Sequence, residues 1–168
     1  MLSENKVSIF KQLKLKNITI LTGLAFTFFL LDHLSKILMV YILKNEFNSI
    51  EILPFFNLTL LYNKGISFSF LSGINYKILA IFSGISMVVV AYLVMQMFNK
   101  VNIWFYLSVS LLIGGALGNL VDRIMLGYVV DFLHVYYQNW HFPVFNLSDS
   151  MITICAIIIL YKMFLKKN

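Results

Sequence analysis

With 168 residues, 60% of them hydrophobic and only 12% charged, the chain carries more apolar surface than a soluble domain of that size can bury, which excludes an ordinary water-soluble fold. Its formal net charge of +6 would suit a nucleic-acid binder, but the lysines flank apolar stretches instead of forming a basic face, so no nucleic-acid partner is expected. The single cysteine, Cys155, excludes an intrachain disulfide and a cysteine metal cluster and reads as a small apolar residue.

Taken in chain order, Lys6, Lys11, Lys14 and Lys16 precede a first apolar stretch from Ile18 to Leu43. Without an A-x-A-like cleavage site, and with Asp32 and Lys36 inside it, this stretch reads as a retained helix and not a cleaved secretory signal. Three more stretches follow, Tyr76 to Phe98, Ile103 to Val121 and Ser150 to Leu165, each near the roughly 20 residues that cross a bilayer as a helix. Lys100 lies between the second and third, and Lys162, Lys166 and Lys167 close the chain. By the positive-inside rule these basic regions are cytoplasmic, so both termini lie inside and the chain crosses an even number of times. The expected fold is an all-α integral membrane protein, one domain over residues 1–168, with four transmembrane helices and a small extracytoplasmic β-hairpin or sheet.

The two long connections, 44–75 and 122–149, fall on the outer face and are the places to look for function. In the first, Phe56, Leu58 and Leu60 alternate with Asn57 and Thr59, and Ile66, Phe68 and Phe70 alternate with Ser67 and Ser69. Asn63-Lys64-Gly65 stands between, which predicts a hairpin on the membrane surface. Tyr128, Tyr136, Tyr137, Trp140 and Phe142 in the second suit the water–lipid boundary.

Of seven acidic residues, Glu4, Glu46 and Glu51 read as solvated surface. The other four, Asp32, Asp122, Asp131 and Asp149, come by topology to one depth near the outer face. An ionisable group there is expensive and therefore a functional candidate. Asp32 and Lys36, at i and i+4, read first as a buried ion pair that pins the first helix. Asn119, Asp122 and Arg123 share a face of the third helix behind Gly114-Gly115-Ala116-Leu117-Gly118, whose small residues permit close helix approach. Asn146 or Ser148 suits the N-cap of the last helix, and Asp149 follows. Two carboxylates on adjacent helix ends at a half-dry boundary can share a proton. One then activates water for attack on a carbonyl while the other protonates the leaving group. His33, His134 and His141 lack metal-ligand spacing, and neither a nucleophile elbow nor a phosphate-binding glycine loop is present.

At these residues the chain resembles the bacterial lipoprotein signal peptidases, also called type II signal peptidases. Five blocks carry the likeness: 32–36 (DHLSK), 62–68 (YNKGISF), 114–123 (GGALGNLVDR), 129–132 (VVDF) and 142–150 (FPVFNLSDS). The resemblance implies a membrane aspartic endopeptidase that removes the signal peptide from diacylglyceryl-modified prolipoproteins, cutting before the lipid-bearing cysteine. It implies Asp122 and Asp149 as the catalytic pair, with Asn119 and Asn146 as supporting polar groups and Asn63 and Gly65 as outer-loop substrate contacts. It also implies that Arg123 and Asp131 hold the site together and that Asp32, with Lys36, is structural or positions substrate. It further implies no cofactor and no metal, prolipoproteins and membrane lipids as partners, a monomer, and a multi-pass place in the bacterial inner membrane with the site facing out. The chain departs from the common pattern at Ile66-Ser67 and at Ser148, where the family more often has alanines. The other classes that fit the composition are a proton-relay subunit of a transporter and a non-enzymatic assembly factor.

Overall fold

The computed structural model describes residues 14–44, 49–65, 75–98 and 100–165. Four helices are long and apolar enough to cross a membrane: α1 (Leu15–Leu43), α2 (Tyr76–Gln96), α3 (Ile103–Met125) and α4 (Leu147–Leu165). Each helix overlaps the apolar stretch that predicts it. The consequential differences lie at the outer ends, where α3 runs four residues past Val121 and α4 begins three residues before Ser150. Asp122 and Asp149 therefore sit inside regular helix, with rigid backbone behind them, and not in the connection.

The starts of the helices follow from local chemistry. Asn75 Oδ1 accepts the Lys77 N–H at the head of α2, and Asn102 Oδ1 accepts the Phe105 N–H at the head of α3. Both bonds satisfy donors that the first helical turn leaves without partners.

Helix α3 is the central element and packs against α1, α2 and α4. Over half of its apolar window is buried, 56%, against 17–22% for the other three, whose outer faces present Phe26, Phe82, Val88 and Ile157 as lipid-facing surface. Glycines make this close approach possible. A Cβ at Gly114 would stand 2.6 Å from the Ala25 carbonyl oxygen on α1, and one at Gly115 would stand 2.8 Å from the Ser148 carbonyl oxygen on α4. Toward the other end of α3 an apolar core of Phe98, Phe105, Val109, Leu112, Met151 and the free Cys155 closes the bundle.

Over the outer end lies a four-stranded antiparallel sheet in the order β1 (Ser49–Leu53), β2 (Phe56–Asn63), β3 (Val129–Tyr137), β4 (Trp140–His141). The alternating run at Phe56 is β2, as expected. Its hairpin partner is β1, reached across Pro54 and Phe55, and its other neighbour is β3 from the second outer connection. The second arm expected at Ile66, Phe68 and Phe70 lies outside the described residues. One face of the sheet seals onto α1 through Leu43, Leu60, Val130 and Phe132. That contact fixes the sheet over the ends of α3 and α4, where the candidate residues are.

Candidate active site

The four aspartates named from the sequence come together at the outer ends of α1, α3, α4 and the start of β3, and three of them are almost wholly buried: Asp32, Asp122 and Asp131. Burying carboxylates at this density is costly unless each is paired or hydrogen-bonded. The structure answers with one lysine and three asparagines.

Lys36, on α1, reaches Asp32 Oδ2 at 2.7 Å and Asp122 Oδ2 at 3.0 Å, and donates to Asn119 Oδ1 at 3.0 Å. The ion pair expected between Asp32 and Lys36 is present, and the ammonium also clamps Asp122, which the helical spacing of residues 32 and 36 alone does not reveal. Asp122 Oδ2 accepts a second bond from the Val130 N–H at 3.2 Å, at the start of β3. Its other oxygen, Oδ1, carries no hydrogen bond from the described residues.

Asp149 is held by a different device. Asn146 immediately precedes α4, and its Oδ1 accepts the Asp149 N–H at 2.9 Å while Asp149 Oδ2 accepts the Asn146 N–H at 3.3 Å. This reciprocal pair is a capping box, so the N-cap expected at Asn146 and the placement of Asp149 are one feature. Asp149 Oδ1 accepts from Asn119 Nδ2 at 2.8 Å. Asn119 thus touches Lys36 with its oxygen and Asp149 with its nitrogen, a three-bond bridge from Asp122 through Lys36 and Asn119 to Asp149.

The Asn146 amide group ties in the remaining residues. Its Nδ2 donates to Asp131 Oδ1 at 2.6 Å and to Asn119 Oδ1 at 3.1 Å. Asp131 Oδ2 accepts from Asn63 Nδ2 at 3.0 Å, and Asn63 Oδ1 in turn accepts the Gly65 N–H at 3.0 Å. Burial drives the Asp131 carboxyl up to about 6, a rise opposed by its hydrogen bonds from Asn63 and Asn146. Arg123 donates to the Asn119 carbonyl oxygen at 3.1 Å and to the Gly65 carbonyl oxygen at 3.3 Å, which anchors the first outer connection to α3. Asp32 Oδ1 accepts the Ser148 N–H at 2.8 Å, so Asp32 also satisfies a first-turn donor of α4.

Beside this network opens a cavity of about 550 Å³ whose polar wall is Asn63, Asn119, Arg123, Asp131 and Asp149 and whose apolar wall includes Val129, Phe142, Phe145 and Ile154. A few polar groups converging at one end of an apolar cleft make a binding site for an extended, mostly apolar ligand. Asp122 is not among the residues that line the cavity. The apolar wall was not identified from the sequence, where Phe142 reads as a boundary ring and Phe145 is merely a neighbour of Asn146. Away from the site, His141 Nδ1 lies 3.1 Å from His134 Nε2 on the exposed sheet, and His33 stacks on Phe29.

Residues 24–165 match the family of signal peptidase (SPase) II. The lipoprotein signal peptidase of Acinetobacter baylyi is 46% identical over 71% of this chain and 68% of that protein. That of Aeromonas hydrophila is 42% identical over 81% of this chain and 83% of its own, and that of Pseudomonas aeruginosa is 42% identical over 83% and 85%. Among solved structures, two bacterial membrane enzymes share the fold. One has a TM-score of 0.67 at 29% identity, covering 91% of this chain and 90% of that chain. The other has a TM-score of 0.61 at 30% identity, covering 88% and 92%.

Proposed function

The chain belongs to the signal peptidase II family and is a multi-pass membrane aspartic peptidase that processes prolipoproteins, and from that premise we propose that Asp122 and Asp149 are its catalytic pair. The observation that carries this reading is the opposite seating of the two carboxyls. Among the described residues, Asp122 is clamped on one oxygen by a lysine and a backbone N–H, leaving Oδ1 without a partner, whereas Asp149 receives only neutral amide donors and faces the cavity.

In the proposed mechanism the substrate's scissile peptide lies along the wall of Asn63, Asn119 and Asp149. Asp122 Oδ1 takes a proton from water as the water oxygen bonds to the carbonyl carbon. A proton held by Asp149 supports the developing oxyanion and passes to the leaving nitrogen as the C–N bond breaks. The capping box and Asn119 hold Asp149 to a narrow range of positions, and such pre-organisation is what lets a proton donor act without first reorganising. The apolar wall suits a signal peptide, and a site beside lipid lets the diacylglyceryl chains of the cysteine stay in the bilayer. The lysines at the inner ends support a reading with both termini in the cytoplasm and the site at the outer face of the inner membrane. The working unit is a monomer in contact with membrane lipids.

A second reading has one observation in its favour: Asp131, not Asp122, shares the cavity wall with Asp149. Cleavage of a diacylglyceryl-modified prolipoprotein in detergent, with wild type, Asp122→Asn, Asp131→Asn and Asp149→Asn at matched helicity, separates the two. We expect turnover to be lost in Asp122→Asn and Asp149→Asn and reduced but measurable in Asp131→Asn. Turnover surviving in Asp122→Asn and lost in Asp131→Asn would transfer the base to Asp131.

A further inference from the structure

His134 on β3 and His141 on β4 are far enough apart in sequence that their spacing conceals what the hairpin does with them. His141 is the cross-strand partner of Tyr136, and Tyr136 follows His134 by two positions, so all three rings share one face of the sheet. Nδ1 of His141 stands 3.1 Å from Nε2 of His134. Two imidazole nitrogens that each bond one ion at about 2.0–2.1 Å are 3.1 Å apart when they subtend about 100° at it, between the square-planar and tetrahedral angles.

The surroundings supply the other features of a metal site. The second ring nitrogen of His134, Nδ1, lies 3.5 Å from Thr59 Oγ1, which is itself 2.9 Å from Ser49 Oγ. A proton on Nδ1 donated to that hydroxyl leaves the Nε2 lone pair free for an ion, the outer-shell arrangement that orients ligating histidines. Asn57, the cross-strand partner of His134, has a buried side-chain oxygen with no hydrogen-bond partner among the described residues, and it can accept from water carried by an ion. Glu51, opposite Asn57 in the same row, adds a negative charge. No third histidine, cysteine or carboxylate joins the pair among the described residues, so water completes the coordination.

We propose that His134 and His141 form a two-histidine site for a divalent transition-metal ion of the zinc, copper or nickel class, bound across the β3–β4 hairpin. Imidazole nitrogen suits these ions, whereas magnesium and calcium demand oxygen. Coordination replaces the hydrogen bond between the rings, and the proton that made it moves through water to the outer nitrogen of its ring. The ion clips β4, only Trp140 and His141, to β3. It does so one residue before Phe142, whose N–H bonds the Val135 carbonyl oxygen at 2.9 Å and which lines the cavity. The site does not depend on which carboxylates cleave the peptide bond.

The test is a titration of untagged protein in detergent with Zn²⁺ by calorimetry, with Mg²⁺ as the comparison ion. One Zn²⁺ per chain is expected, and no binding of Mg²⁺. His134→Gln and His141→Gln should each weaken Zn²⁺ at least about tenfold, no less than the loss of an outer-shell partner costs. His33→Gln, on α1 and stacked on Phe29, should leave the affinity unchanged. In a Trp104→Phe protein, where Trp140 is the one remaining indole, Cu²⁺ should quench its emission, and His141→Gln should abolish the quenching at the same concentrations. Absence of saturable Zn²⁺ binding to wild type, which needs no variant to fold, would overturn the site. Unchanged affinity in both His134→Gln and His141→Gln would overturn it too, by placing the ion elsewhere.

Discussion

Lys36 Nζ and Asp122 Oδ2 are 3.0 Å apart, and both side chains are almost fully withdrawn from solvent. The same ammonium holds Asp32, so removing it leaves two buried carboxylates without a counter-charge. Breaking a buried pair in this way costs about 3–5 kcal/mol. Lys36→Met should therefore lower the melting temperature in detergent sharply and abolish cleavage. The double variant Asp32→Asn/Lys36→Met should recover much of the stability, since only one charge remains unpaired, without recovering turnover. Recovery of cleavage along with stability would mean that Lys36 serves the fold alone.

The packing of α1, α3 and α4 around these charges depends on Gly118. A Cβ there would collide with Asp32 Oδ2, which Lys36 holds in place, and with the buried Ser148 Oγ. Gly118→Ala should cost about 1–3 kcal/mol, the usual penalty for overfilling a tight core, and should reduce activity through the Asp32 to Lys36 contact. Gly23, on the same bundle, has nothing within 4 Å of its Cβ position, and Gly23→Ala should be neutral or slightly stabilising. Thermal melts of both variants decide the matter, and equal behaviour would remove the steric argument.

The helices and the residues of the buried polar network were legible because each left a one-dimensional trace. Apolar length marks a span, and Asn146 followed three residues later by Asp149 is a helix start whatever else it is. The sheet was only half legible. Phe56 to Leu60 alternates clearly, but β3 pairs with β2 across nearly half of the chain, and no local signal states that Asn57 meets His134. The bridge from Lys36 to Asp122 is likewise a product of helix packing, set by Gly114 and Gly118, and spacing along α1 reaches only as far as Asp32. The apolar cavity wall escaped for the same reason, since Phe142 and Phe145 acquire that role only when α3 and α4 converge.

Ser148 has a buried hydroxyl oxygen with no hydrogen-bond partner among the described residues, while its backbone N–H is bonded to Asp32. Removing an unsatisfied buried hydroxyl relieves its desolvation cost and leaves the backbone bond intact. Ser148→Ala is expected to hold or raise the melting temperature, by up to about 1 kcal/mol in stability, with cleavage within about twofold of wild type. A loss of more than about 1 kcal/mol would show that the hydroxyl is bonded in the working protein.

Asp131 gives a pH dependence whose sign follows from its burial. Its folded-state value of about 6 stands above the 3.8 of an ordinary aspartate, so between these values the folded protein holds a proton that the unfolded chain releases. The favourable contribution is whole below about pH 4, shrinks as pH rises through the window, and is gone above about pH 6. A rise of about two units corresponds to about 3 kcal/mol. Wild type should therefore melt several degrees higher at pH 5 than at pH 7, and Asp131→Asn, which cannot titrate, should lose most of that difference by gaining stability at pH 7. Asn63→Ala removes a bond that favours the charged form and should move the window upward. Melting curves of the three proteins from pH 4 to 8 would test this, and an Asp131→Asn slope equal to that of wild type would place the titration on another group.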